Sequence, residues 1–290
     1  MGGLTQTQID SFWNNGYLMV ADAVSKEHLQ AMRDDFAVWV EESKSHQQAY
    51  GDTLDGRARF DLESGHSSER PALRRVNAPV EVSDSYYKAS MDSRMTDCVA
   101  DLIGPNVKFH HAKINSKLPG GNTVVKWHQD FPFTPHSNDD LITALLLIDD
   151  VTEENGPLQV VPGSHRGEIY SLWHDGFFTG AIDNEVAQQC EENSVLCTGK
   201  AGSVCLMHTR MLHGSGINKS ANPRTIHISV FSAEDAVACS PNPVPSQFQG
   251  LVVRGETTGR IRTSDFNMYM PELPEKASFF TQQEHHDDNA

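Results

Sequence analysis

Hydrophobic positions near the start of the chain recur at helical spacing. Ile9, Phe12 and Trp13 fall on one face of a predicted helix. Gly16 is placed to end that helix, because glycine adopts the left-handed conformation common at helix C-termini. The segment YLMVAD at 17–22 then predicts a short strand.

Helical spacing of apolar residues continues through the first hundred residues. Ser25 is placed to cap a second helix, whose apolar residues recur at steps of three and four up to Val40. A further helix is predicted near 86–103, ending before Gly104 and Pro105. The polar, turn-rich residues 43–70 are expected to form loops.

The pattern changes at residue 106, where short apolar segments begin to alternate with turns. This alternation is typical of an antiparallel barrel or a double sheet. We expect one domain over 1–290, with a mainly helical part at 1–105, a β-core at 106–270 and a disordered tail at 281–290. The predicted strands are VKFHHAKINS (107–116), TVVKWHQD (123–130), LITALLLID (141–149), PLQVVP (157–162), GSVCLMH (202–208) and RTIHISVFS (224–232).

Composition and charge limit the class of protein. The 290 residues carry 39 acidic and 23 basic side chains, for a formal net charge of −16. A surface this acidic argues against nucleic acid and anionic membranes as partners, and no apolar run is long enough to span a bilayer. The five cysteines form no CxxC pair, which favours free thiols in a reducing compartment. We therefore expect a soluble cytoplasmic protein, with its oligomeric state, homo-oligomer included, left open.

A metal site is predicted where an imidazole and a carboxylate stand two residues apart. In the segment VVKWHQDFPF at 124–133, His128 and Asp130 would point to the same face if the segment is extended. A third ligand must come from elsewhere. The segment GSVCLMHTRMLHGSG at 202–216 offers His208 and His213, and we favour His213 because the turn Gly-Ser-Gly follows it directly.

Two histidines and one carboxylate on one side of a metal leave coordination positions open. Non-heme Fe(II) oxygenases use this set, whereas zinc prefers a closed tetrahedron or a single open position. Arg224 follows His213 by eleven residues, in the strand-like segment NPRTIHISVF. A buried arginine needs an anionic partner, and the distal carboxylate of 2-oxoglutarate would serve.

The order of these motifs resembles that of the phytanoyl-CoA dioxygenase family of Fe(II)- and 2-oxoglutarate-dependent oxygenases. The resemblance covers most of the chain. It implies a double-stranded β-helix (a cupin-like jelly roll) with flanking helices, iron at His128, Asp130 and His213, and 2-oxoglutarate held by Arg224. The resemblance extends through LTQTQIDSFWNNGYLMV (4–20), WHQDFPF (127–133), DVTEENGPLQVVPGSHRG (150–167) and HGSGINKSANPR (213–224).

Further contacts are implied less directly. Gln129 matches a position that touches the cosubstrate in the family's namesake. Thr143 shares one strand face with Leu145 and Leu147, and is as well explained as a core threonine as by contact with the cosubstrate. Arg74 and Arg75 fall near a basic position of the namesake, but as a surface pair they are expected to be solvated.

The pocket is expected to have aromatic walls. Phe131, Phe133 and Trp173 are candidates to line it, and Trp127 is at least as well explained as a core residue.

The resemblance implies an enzyme that uses Fe(II), 2-oxoglutarate and O2 to oxidise, by default to hydroxylate, an unactivated C–H bond. Asp130 disfavours halogenation, because related halogenases replace this carboxylate with Gly or Ala. Phytanoyl-CoA is disfavoured as substrate, since no basic cluster marks a site for the CoA phosphates. A small metabolite or natural-product intermediate is expected. The alternatives are a metal-dependent hydrolase that uses zinc and a non-catalytic jelly-roll binding protein.

Overall fold

The computed structural model describes residues 3–121, 123–274 and 276–280. The predicted tail at 281–290 lies outside these residues. Within them, five α-helices are present: α1 Gln6–Asn15, α2 Lys26–Ser43, α3 Asp84–Met91, α4 Arg94–Ile103 and α5 Asn184–Asn193. No helix in this part of the chain is both long and apolar enough to cross a membrane.

Fifteen strands are present in the same residues. In chain order they are β1 Tyr17–Val20, β2 Tyr50–Asp52, β3 Ala58–Leu62, β4 Leu73–Asn77, β5 Val107–Lys117, β6 Val125–His128, β7 Leu141–Leu147, β8 Leu158–Val160, β9 Trp173–His174, β10 Phe177–Phe178, β11 Val195–Cys197, β12 Val204–His208, β13 His213–Ser215, β14 Arg224–Ala233 and β15 Val252–Arg254. The six predicted strands of the β-core are confirmed as β5, β6, β7, β8, β12 and β14.

Two antiparallel sheets face each other across a cavity. The major sheet has the order β1-β12-β7-β14-β5-β4-β3-β2, with β15 added beside β5. The minor sheet has the order β11-β8-β13-β6. Neighbouring strands come from distant parts of the chain, as in a double-stranded β-helix, and the predicted fold class is confirmed.

Side-chain alternation divides the major sheet into two faces. On β7, Ile142, Ala144 and Leu146 join the core under the helices, where they meet Phe12, Met32, Tyr86 and Met95. Leu145 and Leu147 point the other way, into a second cluster on the cavity side that includes Met207, Ile226 and Ile228. The helices therefore cover one face of the major sheet, and the minor sheet covers the other.

The predicted start of the chain is confirmed. Thr5 and Gln8 form a reciprocal capping box at the N-terminus of α1, and Gly16 ends the helix with φ 82°. A Cβ at Gly16 would lie 2.2 Å from Met211 Sδ, so both the backbone conformation and the packing require glycine there. Ser25 caps α2 by accepting a hydrogen bond from the His28 backbone N–H.

Two of the predicted elements differ from the structure. Residues 43–70 were expected to form loops, but they contain β2 and β3, which extend the major sheet. Tyr50 stacks on Phe60 with ring centroids 4.7 Å apart, so a few aromatic residues are enough to dock an otherwise polar segment. The helix predicted near 86–103 is two helices, α3 and α4, because Asp92 and Ser93 are not helical and separate them.

Candidate metal centre and cavity

Direct strand pairing brings the two predicted histidine ligands together. His128 ends β6 and lies opposite His213, the first residue of β13, in the register of the minor sheet. Both side chains are buried. The third predicted ligand, Asp130, places Oδ1 3.6 Å from Nε2 of each histidine. Ligand atoms of the three residues all lie within 4.8 Å of one another.

Asp130 reaches this cluster from a different backbone conformation than predicted. The strand ends at His128, and Asp130 is helical, with φ −73° and ψ −32°, at the start of a 3₁₀ turn over Phe131–Phe133. Pro132 suits that turn because its ring fixes φ and its missing N–H removes a ladder donor. The shared strand face that we expected for His128 and Asp130 is therefore incorrect, although their side chains do converge.

Backbone carbonyls orient both imidazoles. His128 Nδ1 donates to the Lys126 carbonyl at 2.7 Å, and His213 Nδ1 donates to the Met211 carbonyl at 3.0 Å. These bonds leave the Nε2 lone pairs free to face Asp130. Burial lowers the pKa of His213 to about 4, so its ring is neutral at physiological pH.

The three facing atoms all carry lone pairs, and such a cluster calls for a cation. Burial raises the pKa of Asp130, but the nearby His213, His128 and Lys113 outweigh that effect and hold it below its ordinary value. A carboxylate and two imidazoles on one side of an open cavity suit a non-heme iron centre. The residues therefore fit the group that the sequence predicted.

Thr143 fixes the carboxylate. Its hydroxyl donates to Asp130 Oδ2 at 2.6 Å, leaving Oδ1 toward the histidines. Thr143 lies on the cavity face of β7, as the alternation predicted, and lines the cavity. Its hydrogen bond is thus to a candidate metal ligand, whereas the sequence left a core position and a cosubstrate contact as alternatives.

Gln129 is held by backbone groups of neighbouring loops. Its side chain is fully buried and is not part of the cavity wall. The amide nitrogen donates to the carbonyls of Glu168 and Arg210 at 2.9 and 2.7 Å, and the amide oxygen accepts from the Tyr170 N–H at 2.9 Å. These contacts let Gln129 position a loop, and the contact with the cosubstrate that the resemblance implies stays a prediction.

Arg224 begins β14 and lines the same cavity. It is 3% exposed, its Nη2 donates to the Gly156 carbonyl at 2.6 Å, and its buried Nε has no hydrogen-bond partner in the described residues. Burial lowers the pKa of Arg224 to about 10, so it stays charged at neutral pH. An unpaired donor on a buried cation is what a bound carboxylate would satisfy.

Lys117 is a neighbour of Arg224 that the sequence analysis did not single out. The two residues are paired across β5 and β14. Burial, and then the nearby Arg224 charge, lower the pKa of Lys117 to about 6. Its Nζ donates to Ser215 Oγ at 2.9 Å and to the carbonyls of Ser215 and Gly216. A signal was available, because KINSK at 113–117 places polar side chains at alternate strand positions.

The predicted aromatic walls are only partly present. Of the four candidates, Phe133 lines the cavity, whereas Phe131 and Trp127 are packed in separate core clusters and Trp173 lies against Met270. Phe279 and Phe280, near the end of the described chain, line the cavity instead. No periodic pattern of apolar residues near the end of the chain predicts their position.

Arg75 is buried, whereas the sequence predicted a solvated surface position for it. It is 6% exposed and lines the cavity together with Arg74. Arg74 is partly buried and pairs with Asp61, with Nε 2.9 Å from Oδ2. Strand pairing of β4 with β5 turns this pair into part of the cavity wall.

His208, the alternative third ligand, lies away from the cluster. It ends β12 and packs against Trp13 and His165. Its Nδ1 accepts a hydrogen bond from the Arg210 N–H at 3.1 Å. Since His208 faces the N-terminal helix, it is not among the residues that the structure brings to the candidate metal centre.

Comparison with known proteins agrees with this geometry. The family model described as Phytanoyl-CoA dioxygenase (PhyH) matches residues 12–226. A probable alpha-ketoglutarate-dependent hypophosphite dioxygenase of Stutzerimonas stutzeri is 31% identical over 218 residues, which cover 73% of this chain and 74% of the relative. An ectoine dioxygenase of Streptomyces coelicolor is 27% identical over 210 residues, covering 67% and 70%.

Solved structures support the fold. The crystal structure of EctD from S. alaskensis with bound Fe has a TM-score of 0.64 at 22% sequence identity, covering 92% of this chain and 88% of that chain. The carbocyclase SnoK from nogalamycin biosynthesis, described as non-heme and alpha ketoglutarate dependent, has a TM-score of 0.62 at 19% identity, covering 80% and 85%.

Proposed function

The chain belongs to the phytanoyl-CoA dioxygenase family and is an iron- and 2-oxoglutarate-dependent dioxygenase, and from that premise we propose that it hydroxylates an unactivated C–H bond of a small metabolite or natural-product intermediate, releasing succinate and CO2. The observation that carries this proposal is a single cavity with a His–Asp–His cluster on one wall and the buried Arg224 on another.

His128, Asp130 and His213 would hold Fe(II). When bound, iron with 2-oxoglutarate and O2 supplies the oxidising power that replaces a C–H hydrogen by a hydroxyl group. The chain's own contribution is orientation: two carbonyls fix the imidazoles, and Thr143 fixes the carboxylate. Such outer contacts keep ligand atoms directed at a metal and raise its affinity.

Arg224 and Lys117 would bind the distal carboxylate of 2-oxoglutarate. The two cations are neighbours on β14 and β5, at the edge of the cavity where Ser215 and Gly216 follow His213. Arg224 has an unpaired buried Nε to offer. A guanidinium beside an ammonium provides both a directional and a simple electrostatic contact to a carboxylate.

The remaining walls would exclude water from the reacting atoms. The cavity is also lined by the apolar side chains of Leu145, Ile226, Ile228 and Met207. Phe133, Phe279 and Phe280 contribute aromatic surface. A largely apolar site with a few placed polar groups is typical of small-molecule enzymes.

A second candidate reaction is oxidation of hypophosphite, the compound for which the Stutzerimonas stutzeri relative is named. The reaction would replace a P–H bond by P–OH, with the same use of 2-oxoglutarate. Five lysine and arginine side chains line the cavity, which favours an anion of this kind over a neutral substrate.

The test begins without oxygen. Fe(II) and 2-oxoglutarate are added anaerobically to the purified protein, and we expect the weak visible charge-transfer band of a metal-bound 2-oxo acid. That band should be lost in His213→Ala. Oxygen is then admitted with candidate substrates, and succinate is measured together with either hydroxylated product or phosphite.

The outcomes separate the alternatives. A protein that binds zinc in preference to iron and forms no band would favour the metal-dependent hydrolase. A protein that binds neither metal nor 2-oxoglutarate would favour the non-catalytic jelly roll. Succinate formation that depends on an added substrate supports the proposed dioxygenase.

A further inference from the structure

The cavity has an excess of positive charge that the cosubstrate does not account for. Although the whole chain carries a net charge of −16, the described lining of the cavity holds five lysine and arginine side chains and one carboxylate, Asp130. Arg74, Arg75, Lys113 and Arg224 are cationic, and Lys117 would become so when a carboxylate binds beside it. Cations placed together at low exposure repel one another, so such a cluster is stable only when anions are bound or nearby.

Three of these cations already have partners. Under the function proposed above, Arg224 and Lys117 bind the distal carboxylate of 2-oxoglutarate, and the other end of that molecule binds at the metal. Arg74 forms an ion pair with Asp61. Arg75 and Lys113 are left without a partner of opposite charge at ion-pair distance in the described residues.

Arg75 is held in a fixed position. It lies opposite Asn115 in the pairing of β4 with β5, and its Nε donates to Asn115 Oδ1 at 2.9 Å. Its two terminal nitrogens make no hydrogen bond to any residue that the structure describes. Burial lowers the pKa of Arg75 to about 10, which still leaves the side chain charged at neutral pH.

Lys113 lines the same cavity as Arg75 and the metal cluster. It is two residues from Asn115 on the same face of β5, which makes it a diagonal neighbour of Arg75, with Cα atoms about 7 Å apart. Burial, and then the charge of Arg75, lower the pKa of Lys113, whereas Asp130 raises it. Lys113 is thus close enough to both groups to interact with them.

An aromatic side chain closes this part of the cavity. The Phe280 ring centroid lies 5.1 Å from Cζ of Arg75 and 4.8 Å from Cζ of Arg74. The contact lowers water access on that side while keeping both guanidinium groups charged. An anion bound beside Arg75 would therefore interact with it at reduced dielectric screening.

We propose that the substrate is a small anion, and that Arg75 and Lys113 bind its carboxylate or phosphorus oxyanion group beside the metal. This inference rests on the proposed dioxygenase function and narrows it to one class of substrate. The two terminal nitrogens of Arg75 would donate hydrogen bonds to two oxygens of this group. The Lys113 ammonium would provide an electrostatic contact to the same group.

The experiment compares ligands that differ in charge and little in shape. The protein is first saturated anaerobically with Fe(II) and 2-oxoglutarate. Propionate, its neutral isostere propionamide, and methylphosphonate are then titrated by calorimetry. We expect at least one of the two anions to bind ten-fold more tightly than propionamide.

Variants connect that preference to the residues. Arg75→Gln should reduce the affinity for the anion about ten-fold while changing the dissociation constant of 2-oxoglutarate less than two-fold. Arg75→Lys, which keeps the charge, should restore most of the affinity for the anion. Lys113→Met should also weaken binding of the anion. Arg260 is exposed and provides a matched control, since Arg260→Gln should change the affinity for neither the anion nor 2-oxoglutarate. Thermal unfolding of each variant shows that it is folded.

Three results would overturn the inference. One is propionamide binding as tightly as both anions, and a second is no measurable binding of either anion. The third is an Arg75→Gln variant that loses affinity for 2-oxoglutarate and keeps the anion preference, because Arg75 would then serve the cosubstrate. A wild-type protein that binds no 2-oxoglutarate in the first step would overturn the proposed function as well, so the two failures are distinguishable.

Discussion

His128 and His213 lie directly opposite each other on the antiparallel strands β6 and β13, with ring centroids 4.1 Å apart. They are 85 residues apart in the chain, so the register of the minor sheet alone makes them neighbours. A slip of one residue would turn one imidazole to the opposite face. The candidate metal centre is therefore a consequence of strand pairing, and metal binding should report on that pairing.

Replacing His213 should abolish iron binding and turnover, because the cluster would lose one of its three ligands. The comparison is His208→Ala, which removes the other buried histidine considered for the site. His208 packs against Trp13, outside the cluster, so that variant should keep its iron at some cost in stability. Metal content after anaerobic loading measures both. Iron lost from His208→Ala and retained in His213→Ala would show that the wrong histidine was chosen.

Thr143→Val should weaken iron binding by roughly ten- to a hundred-fold, the usual effect of losing an outer-shell contact to a metal ligand. The hydroxyl donates to Asp130 Oδ2 at 2.6 Å, and valine has the same shape without the donor. A competition titration with a metal-binding dye gives the affinity. Thr179→Val is the matched control, since the Thr179 hydroxyl is buried and donates only to loop carbonyls. Equal losses in the two variants would contradict a specific role for Thr143.

Arg224→Ala should mainly raise the requirement for 2-oxoglutarate, by an order of magnitude or more in KM, because the carboxylate loses a directional charged contact. The KM of Arg224→Lys for 2-oxoglutarate should lie between those of Arg224→Ala and the wild type, since an ammonium cannot form the paired contact of a guanidinium. Iron affinity measured without 2-oxoglutarate is the internal control and should change little. A KM that stays at the wild-type value would remove Arg224 from the cosubstrate site.

Binding of 2-oxoglutarate should take up a proton near pH 8. Burial and Arg224 hold the pKa of Lys117 at about 6, below its ordinary value of 10.5, and a bound carboxylate would raise it again. Between these two values the amine changes from neutral to charged on binding, so up to one proton is taken from solution. Calorimetry in buffers of different ionisation enthalpy measures this number. The uptake should disappear in Lys117→Met, and its persistence there would assign the proton to another group.

Gln129→Leu should destabilise the protein by about 1–3 kcal/mol, because partly buried backbone groups of Glu168, Arg210 and Tyr170 lose their partner. The affinity for 2-oxoglutarate should change less than two-fold, since the side chain is not part of the cavity wall. Denaturant unfolding and a binding titration test the two statements. A stable variant with a ten-fold loss of 2-oxoglutarate affinity would restore the cosubstrate contact predicted from the sequence.

Much of the β-core could be predicted from its sequence because strand alternation is a local property. Thr143, Leu145 and Leu147 were placed on one face from the pattern alone, and the cavity lies on that face. Asp130 shows the limit of this reasoning. The strand ends at His128 and a 3₁₀ turn begins directly after Asp130, so the carboxylate reaches the cluster by a turn that the spacing of two residues did not indicate.

The cationic lining of the cavity was not predicted, and the reason is its origin in strand pairing. Arg75 and Lys113 are 38 residues apart in the chain and lie on strands that are adjacent in the sheet. No segment of the sequence is rich in basic residues, so no local cluster indicates the charge of the cavity. The aromatic cover provided by Phe280 is equally non-local, because it depends on where the end of the chain is packed.

The molecule as a whole is negatively charged, whereas the lining of its cavity is positively charged. This difference affects how the cosubstrate approaches the cavity. At a distance, a body with a net charge of −16 repels 2-oxoglutarate. Only within roughly 10 Å of the cavity, about one Debye length in 0.1 M salt, does the positive lining act on the approaching anion. Low ionic strength should therefore slow the encounter and moderate salt should speed it, until small anions begin to compete for the same cations.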